Sequence, residues 1–148
     1  MNLIDKIKQL REETGVSISD CKKALIETQE DMAKAKELLL EWGKARAEKK
    51  GERVTNQGLI ETYIHGGKKI GVMIELNCET DFVAKGEDFK RLAHELCLQI
   101  AAIDPEEIPL LSQKWIKDES KKVEDLIKES IAKLGENITL KRFARFEL

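Results

Sequence analysis

Leu3, Ile4, Ile7 and Leu10 recur at intervals of three and four, and the recurrence stops at Thr14-Gly15. That spacing predicts an amphipathic helix broken at the glycine. Ser17, followed three positions on by Asp20, has the form of a capping box, and Cys21, Ala24, Leu25 and Thr28 then share one face of a second helix. A third begins near Asp31 with Met32, Ala35, Leu39 and Trp42 inward, and Gly43 offers a stop. Helices this short are marginal singly, so residues 1–43 are predicted to form one three-helix module around a shared core.

Residues 44–57 are polar and charged and read as a linker, partly helical. From Leu59 the period changes to two. "GLIETYIHGGKKIGVMIELNC" holds two strands joined tightly at Gly66-Gly67. Ile70, Val72, Ile74, Leu76 and Cys78 fall on one face of the second strand, and Gly71, Met73, Glu75 and Asn77 on the other. One buried face and one partly wet face is the antiparallel arrangement. A helix is predicted from about Glu87 to Ala102, with Phe89, Leu92, Ala93, Leu96 and Ile100 inside and Pro105 and Pro109 ending it. Another is predicted from about Ser120 to Leu134, with Val123, Leu126, Ile127, Ile131 and Leu134 inward and Gly135 as its stop. "NITLKRFARFEL" alternates as a third strand. The fold class is α+β: the helical module, then a core at 58–148 with about three antiparallel strands covered by helices.

Charge alters this picture little. With 26 basic and 28 acidic residues among 148, the formal charge is −2 and gives no overall attraction for nucleic acid. Lys44, Arg46, Lys49, Lys50 and Arg53 cluster, but Glu41, Glu48 and Glu52 interrupt them, as on a solvated helix. No apolar run approaches the roughly 20 residues that span a bilayer, so no membrane association is expected. The start of the chain is charged from Asp5 onward, unlike a signal peptide, and a cytoplasmic or organelle-interior location is expected. Cys21, Cys78 and Cys97 are odd in number and widely spaced, which suits reduced, buried thiols. His65 and His94 have no zinc-ligand spacing, and no cofactor is expected.

Phosphate-binding glycine loops and nucleophile elbows are absent from the sequence. Glu79 and Asp81 form a carboxylate pair two residues apart, which at a loop is more often a solvated turn or a helix cap than an acid/base site. The junction they occupy, "NCETDFVAKGEDF", admits two readings. Thr80 or Asp81 caps a short turn and Phe82 packs into the core, which spacing alone favours. Alternatively, since Gly86 separates Thr80–Lys85 from the following helix, the segment is a discrete knuckle that presents Phe82 outward.

"NCETDFVAKGEDF", "LREETGVSISDCKKAL" and "IAKLGENITLKRFARFEL" together resemble, in order, signatures of the elongation factor Ts family. Its members are exchange factors, not enzymes, that release GDP from elongation factor Tu. The resemblance implies a ubiquitin-associated-like helical module followed by an α+β core with an antiparallel sheet. It also implies that Thr80, Asp81, Phe82 and Val83 enter the partner's nucleotide domain and dislodge its Mg²⁺. The module would grip the same domain through residues around its first turn: Leu10, Arg11, Thr14, Gly15, Val16, Cys21, Lys22 and Lys23. The core sheet would touch a second partner domain. Ile18 and Ser19 stand where many members have two methionines, and Gly86 where asparagine is commoner. A helical stretch usual between Pro109 and Leu110 is missing, as is the second half-core of long members. Short members pair two chains sheet to sheet, which implies a homodimer. A reading of another class is a binding module whose three helices take a ubiquitin-like or nascent-chain ligand, without exchange activity.

Overall fold

The computed structural model describes every residue from Met1 to Leu148, and the chain divides into two compact units, Met1–Lys49 and Lys50–Leu148. In the first, Asn2 caps α1 (Leu3–Thr14) by accepting the Asp5 N–H at 2.9 Å. Gly15 closes it in the left-handed region at φ +70°, donating its N–H to the Arg11 carbonyl. Ser17 accepts the Asp20 N–H at the start of α2 (Ile18–Glu27). The Asp20 carboxylate also accepts from the Arg46 guanidinium at 2.6 Å.

That ion pair belongs to a helix longer than its sequence suggested. α3 runs from Met32 to Lys50, straight through Gly43. A mid-helix glycine costs only about 1 kcal/mol, and the residues after it are nearly all strong helix formers. The stop expected at Gly43 is therefore corrected, and the irregular stretch shrinks to residues 51–56. Leu10, Cys21, Ala24, Leu25, Ala35 and Leu39 form the interior, with Ile7, Val16, Met32 and Trp42 packed around them.

In the second unit β1 (Gln57–Ile64) and β2 (Ile70–Cys78) are antiparallel and joined by residues 65–69. This loop is longer than the tight turn expected: Lys68 and Gly67 both take positive φ, and the His65 N–H donates to the Ile70 carbonyl. A single turn, α4 (Asp81–Ala84), precedes α5 (Glu87–Ala102). A 3-10 turn at Leu110–Ser112 leads into a small hairpin, β3 (Lys114–Trp115) with β4 (Asp118–Lys122). Then come α6 (Val123–Leu134) and β5 (Thr139–Glu147).

The hairpin was not foreseen, and the start of the last helix moves from Ser120 to Val123. The Asp125 carboxylate accepts the Lys122 N–H there, and Val123 donates its own N–H to Gln113. The main sheet has the order β1-β2-β5, all antiparallel. Val72, Ile74, Leu76 and Cys78 point into the core, and α5 covers that face with Phe89, Leu92, Ala93, Leu96 and Ile100. No helix is long and apolar enough to cross a membrane.

Candidate functional site

Strand β2 delivers the chain to the knuckle. The Cys78 thiol, buried at its end, donates to the Thr80 carbonyl at 3.2 Å. Thr80 is extended (φ −124°, ψ 151°), and its hydroxyl oxygen accepts the Val83 N–H at 3.3 Å, so the threonine is the N-cap of α4. Ala84 is buried and anchors the far end. Gly86 donates to the Val83 carbonyl and is itself extended (φ −74°, ψ 151°), which separates α4 from α5. The capping half of the first sequence reading is thus right and the core phenylalanine is not. Phe82 is 88% exposed.

Asp81 also faces outward and pairs with Lys85 one turn on, at 2.8 Å. The contact raises the Lys85 ammonium above its ordinary value, chiefly through the hydrogen bond to Asp81.

One turn of helix cannot hold itself, and this one is held from a distant part of the chain. Glu136, just past the end of α6, spreads its carboxylate across the knuckle's base. One oxygen accepts the Thr80 N–H at 2.9 Å and the Glu79 N–H at 3.2 Å, and the other accepts the Thr80 hydroxyl at 2.7 Å. Glu79 answers in kind, accepting the Asn137 N–H at 2.7 Å, while Arg53 lies 3.6 Å from the same oxygen. The Asn137 amide, itself buried, donates to the carbonyls of Gly51 and Arg53.

Glu79 and Asp81 therefore do not form an acid/base pair: the first is committed to Asn137 and Arg53, the second to Lys85. A cavity of about 320 Å³ does open in this unit, but Asp88, Glu95, Trp115, Leu126, Lys133 and neighbours line it, and Glu79 does not. His65 and His94 both lie beside Tyr63, with the tyrosine oxygen 3.0 Å from His65 Nδ1.

Sequence reasoning did not single out Glu136 or Asn137. Spacing held no sign of them, since the pairing crosses 56 to 58 positions of chain. The one available signal was their place directly after a helix stop, inside a segment already set apart by its resemblance.

A family model described as Elongation factor TS matches residues 79–148, beginning at the knuckle and running through the Glu136 clamp. A curated protein of Caldanaerobacter subterraneus subsp. tengcongensis named Elongation factor Ts is 43% identical over 187 aligned positions, covering 95% of this chain and 94% of its own length. The chain belongs to the elongation factor Ts family. Elongation factor Ts of Coprothermobacter proteolyticus is 44% identical over 188 positions, with 96% and 95% of the two chains covered. The Herpetosiphon aurantiacus protein of that name is 41% identical over 191. These alignments are longer than the 148 residues present here, so these elongation factor Ts proteins carry positions without a counterpart in this chain.

The residues that the family resemblance marked in the helical unit divide by exposure. Arg11, Gly15, Lys22 and Lys23 are exposed around the turn between α1 and α2. Thr14 and Val16 are half-buried, and the Thr14 hydroxyl donates to the Leu10 carbonyl at 2.6 Å. Leu10 and Cys21 are wholly interior, and burial pushes the Cys21 thiol above its ordinary value.

Proposed function

We propose that the chain is a guanine-nucleotide exchange factor of translation elongation that accelerates GDP release from elongation factor Tu, and that the Thr80–Val83 knuckle is its working end. The observation that carries this reading is Phe82. A phenylalanine is rarely left 88% exposed on a turn whose backbone is bonded on both sides, because the ring gains nothing from water. Its apolar surface is an unfilled contact, suited to a pocket on another molecule.

In the proposed mechanism the ring enters the partner's nucleotide domain and separates elements that hold Mg²⁺ there. Asp81 competes for hydrogen bonds at the same place, and Val83 backs the turn. Losing the cation exposes the diphosphate to uncompensated negative charge and speeds its departure. Such a factor must bind the nucleotide-free partner more tightly than the GDP-bound one, since only differential affinity shifts an equilibrium. Arg11, Gly15, Lys22 and Lys23 would provide the second grip, with Leu10, Thr14, Val16 and Cys21 shaping the turn that carries them.

Pairing of two chains is part of the proposal. The sheet face opposite α5 carries Ile60, Ile64, Met73 and Phe146, each more than half exposed, and a second copy would cover it. The experiment that tests the function is release of labelled GDP from elongation factor Tu with and without this protein. Acceleration is expected, and its absence would refute the exchange reading.

A further inference from the structure

We infer that Glu136 is a positioning residue for exchange: it fixes the direction in which Phe82 points, without touching the partner. The inference rests on the exchange reading above and adds to it a residue on a different element.

Three observations lead there. The first is what α4 lacks. It has four residues, and its exposed ring has almost no packing of its own, so the orientation of Phe82 is set by the backbone beneath it. The second is how completely Glu136 is used. Its two oxygens take three donors, the Glu79 N–H, the Thr80 N–H and the Thr80 hydroxyl. Bonds to an ionised acceptor are roughly twice as strong as neutral ones. The Thr80 hydroxyl that donates to Glu136 is also the oxygen that caps Val83, so one carboxylate orders both the entry to the turn and its cap.

The third observation is electrostatic. Glu136 follows Gly135, which closes α6 at φ +77°, and so it sits at the negative end of that helix. It also faces the Cys78 thiol, whose pKa its charge helps raise after burial. A carboxylate is poorly placed there unless it has donors to satisfy, and the donors it has are those of the knuckle. Asn137, pinned by Glu79, keeps the segment from drifting.

The test joins two readouts on the intact chain. In Glu136→Ala, backbone amides of Glu79, Thr80 and Val83 should exchange with solvent faster, while those of Phe89 to Ile100 keep their protection. The maximal rate of GDP release from elongation factor Tu should fall roughly tenfold or more, because a contact group that is no longer held in place loses much of its effect. Glu136→Gln, which keeps one acceptor, should fall between. In a Phe82→Ala background Glu136→Ala should cost much less than it does in the parent, because the ring it aims is gone and only Asp81 is left to misplace.

Unchanged knuckle amides, or an undiminished release rate, would overturn the inference. So would losses that multiply in the double variant, since Glu136 would then act on the partner directly. If the unaltered chain fails to accelerate release, the exchange reading itself is refuted. An active unaltered chain with rigid knuckle amides in Glu136→Ala refutes this inference alone.

Discussion

The Gln99 side chain donates to Gln113 Oε1 across 2.9 Å, with both residues only 1% exposed. The pair closes the connection from α5 to the small hairpin, where the sequence shows only two prolines and a polar loop. Gln99 also reaches the Lys114 carbonyl and accepts the Ile116 N–H, and Gln113 donates to the carbonyls of Ile103 and Ile108. Gln113→Leu would leave several of these groups buried without partners, at about 1–3 kcal/mol for each one stranded. A fall of more than about 2 kcal/mol is expected in the urea unfolding free energy of the core.

Phe82→Ala should separate function from folding. The ring is 88% exposed, so its removal takes away almost no buried surface. Stability should stay within about 0.5 kcal/mol of the parent. GDP release should drop towards the uncatalysed rate. Equal loss of melting temperature and activity would mean that the ring is a folding residue.

Acid should weaken the helical unit through Asp20. Its hydrogen bond from Arg46, the largest cause, holds the carboxyl below its ordinary 3.8, against the opposing effect of burial. A carboxyl lowered on folding contributes stability that is present above its unfolded value and lost as pH falls through the folded one. Arg46→Ala should therefore melt earlier at neutral pH, and the gap from the parent should close below pH 3.8. Trp42 fluorescence in a Trp115→Phe background reports on this unit alone.

The three cysteines should be silent towards alkylating reagents while the chain is folded. All are buried, and desolvation pushes the Cys97 thiol up to about 12, with Glu61 adding to the effect. The thiolate is the reactive form, so iodoacetamide should label none under native conditions and all three in denaturant. Mass spectrometry counts the adducts. Labelling of Cys78 in the native chain would show that the base of the knuckle opens.

Phe146→Glu should prevent chains from pairing. The residue is 77% exposed opposite Gly71, on the sheet face that Ile64 and Met73 also line. A charge there cannot be buried against a second apolar face without a partner. Sedimentation equilibrium should give a dimer for the parent and a monomer for the variant. A monomeric parent at high concentration would dispose of the pairing.

Local pattern determined most of the elements. Helical spacing at Leu3 to Leu10 and at Phe89 to Ile100, the stops at Gly15 and Gly135, and the alternation of Val72 to Cys78 are properties of neighbouring residues, and the fold keeps them all. Recognition of the family was also legible, because its signatures are continuous strings. What failed was any feature set by residues far apart. Gly43 lies inside a helix that Arg46 ties to Asp20. In β5 a bulge at Lys141 puts Leu140 and Phe143 on the same face, which alternation alone would place on opposite ones. Phe82 looked like a core residue because a ring beside an apolar strand usually is one. Its outward direction was decided by a carboxylate 54 positions later, on Glu136, that satisfies the backbone beneath it. Periodicity reports which side chains avoid water; it does not report which backbone donors a distant acceptor will take.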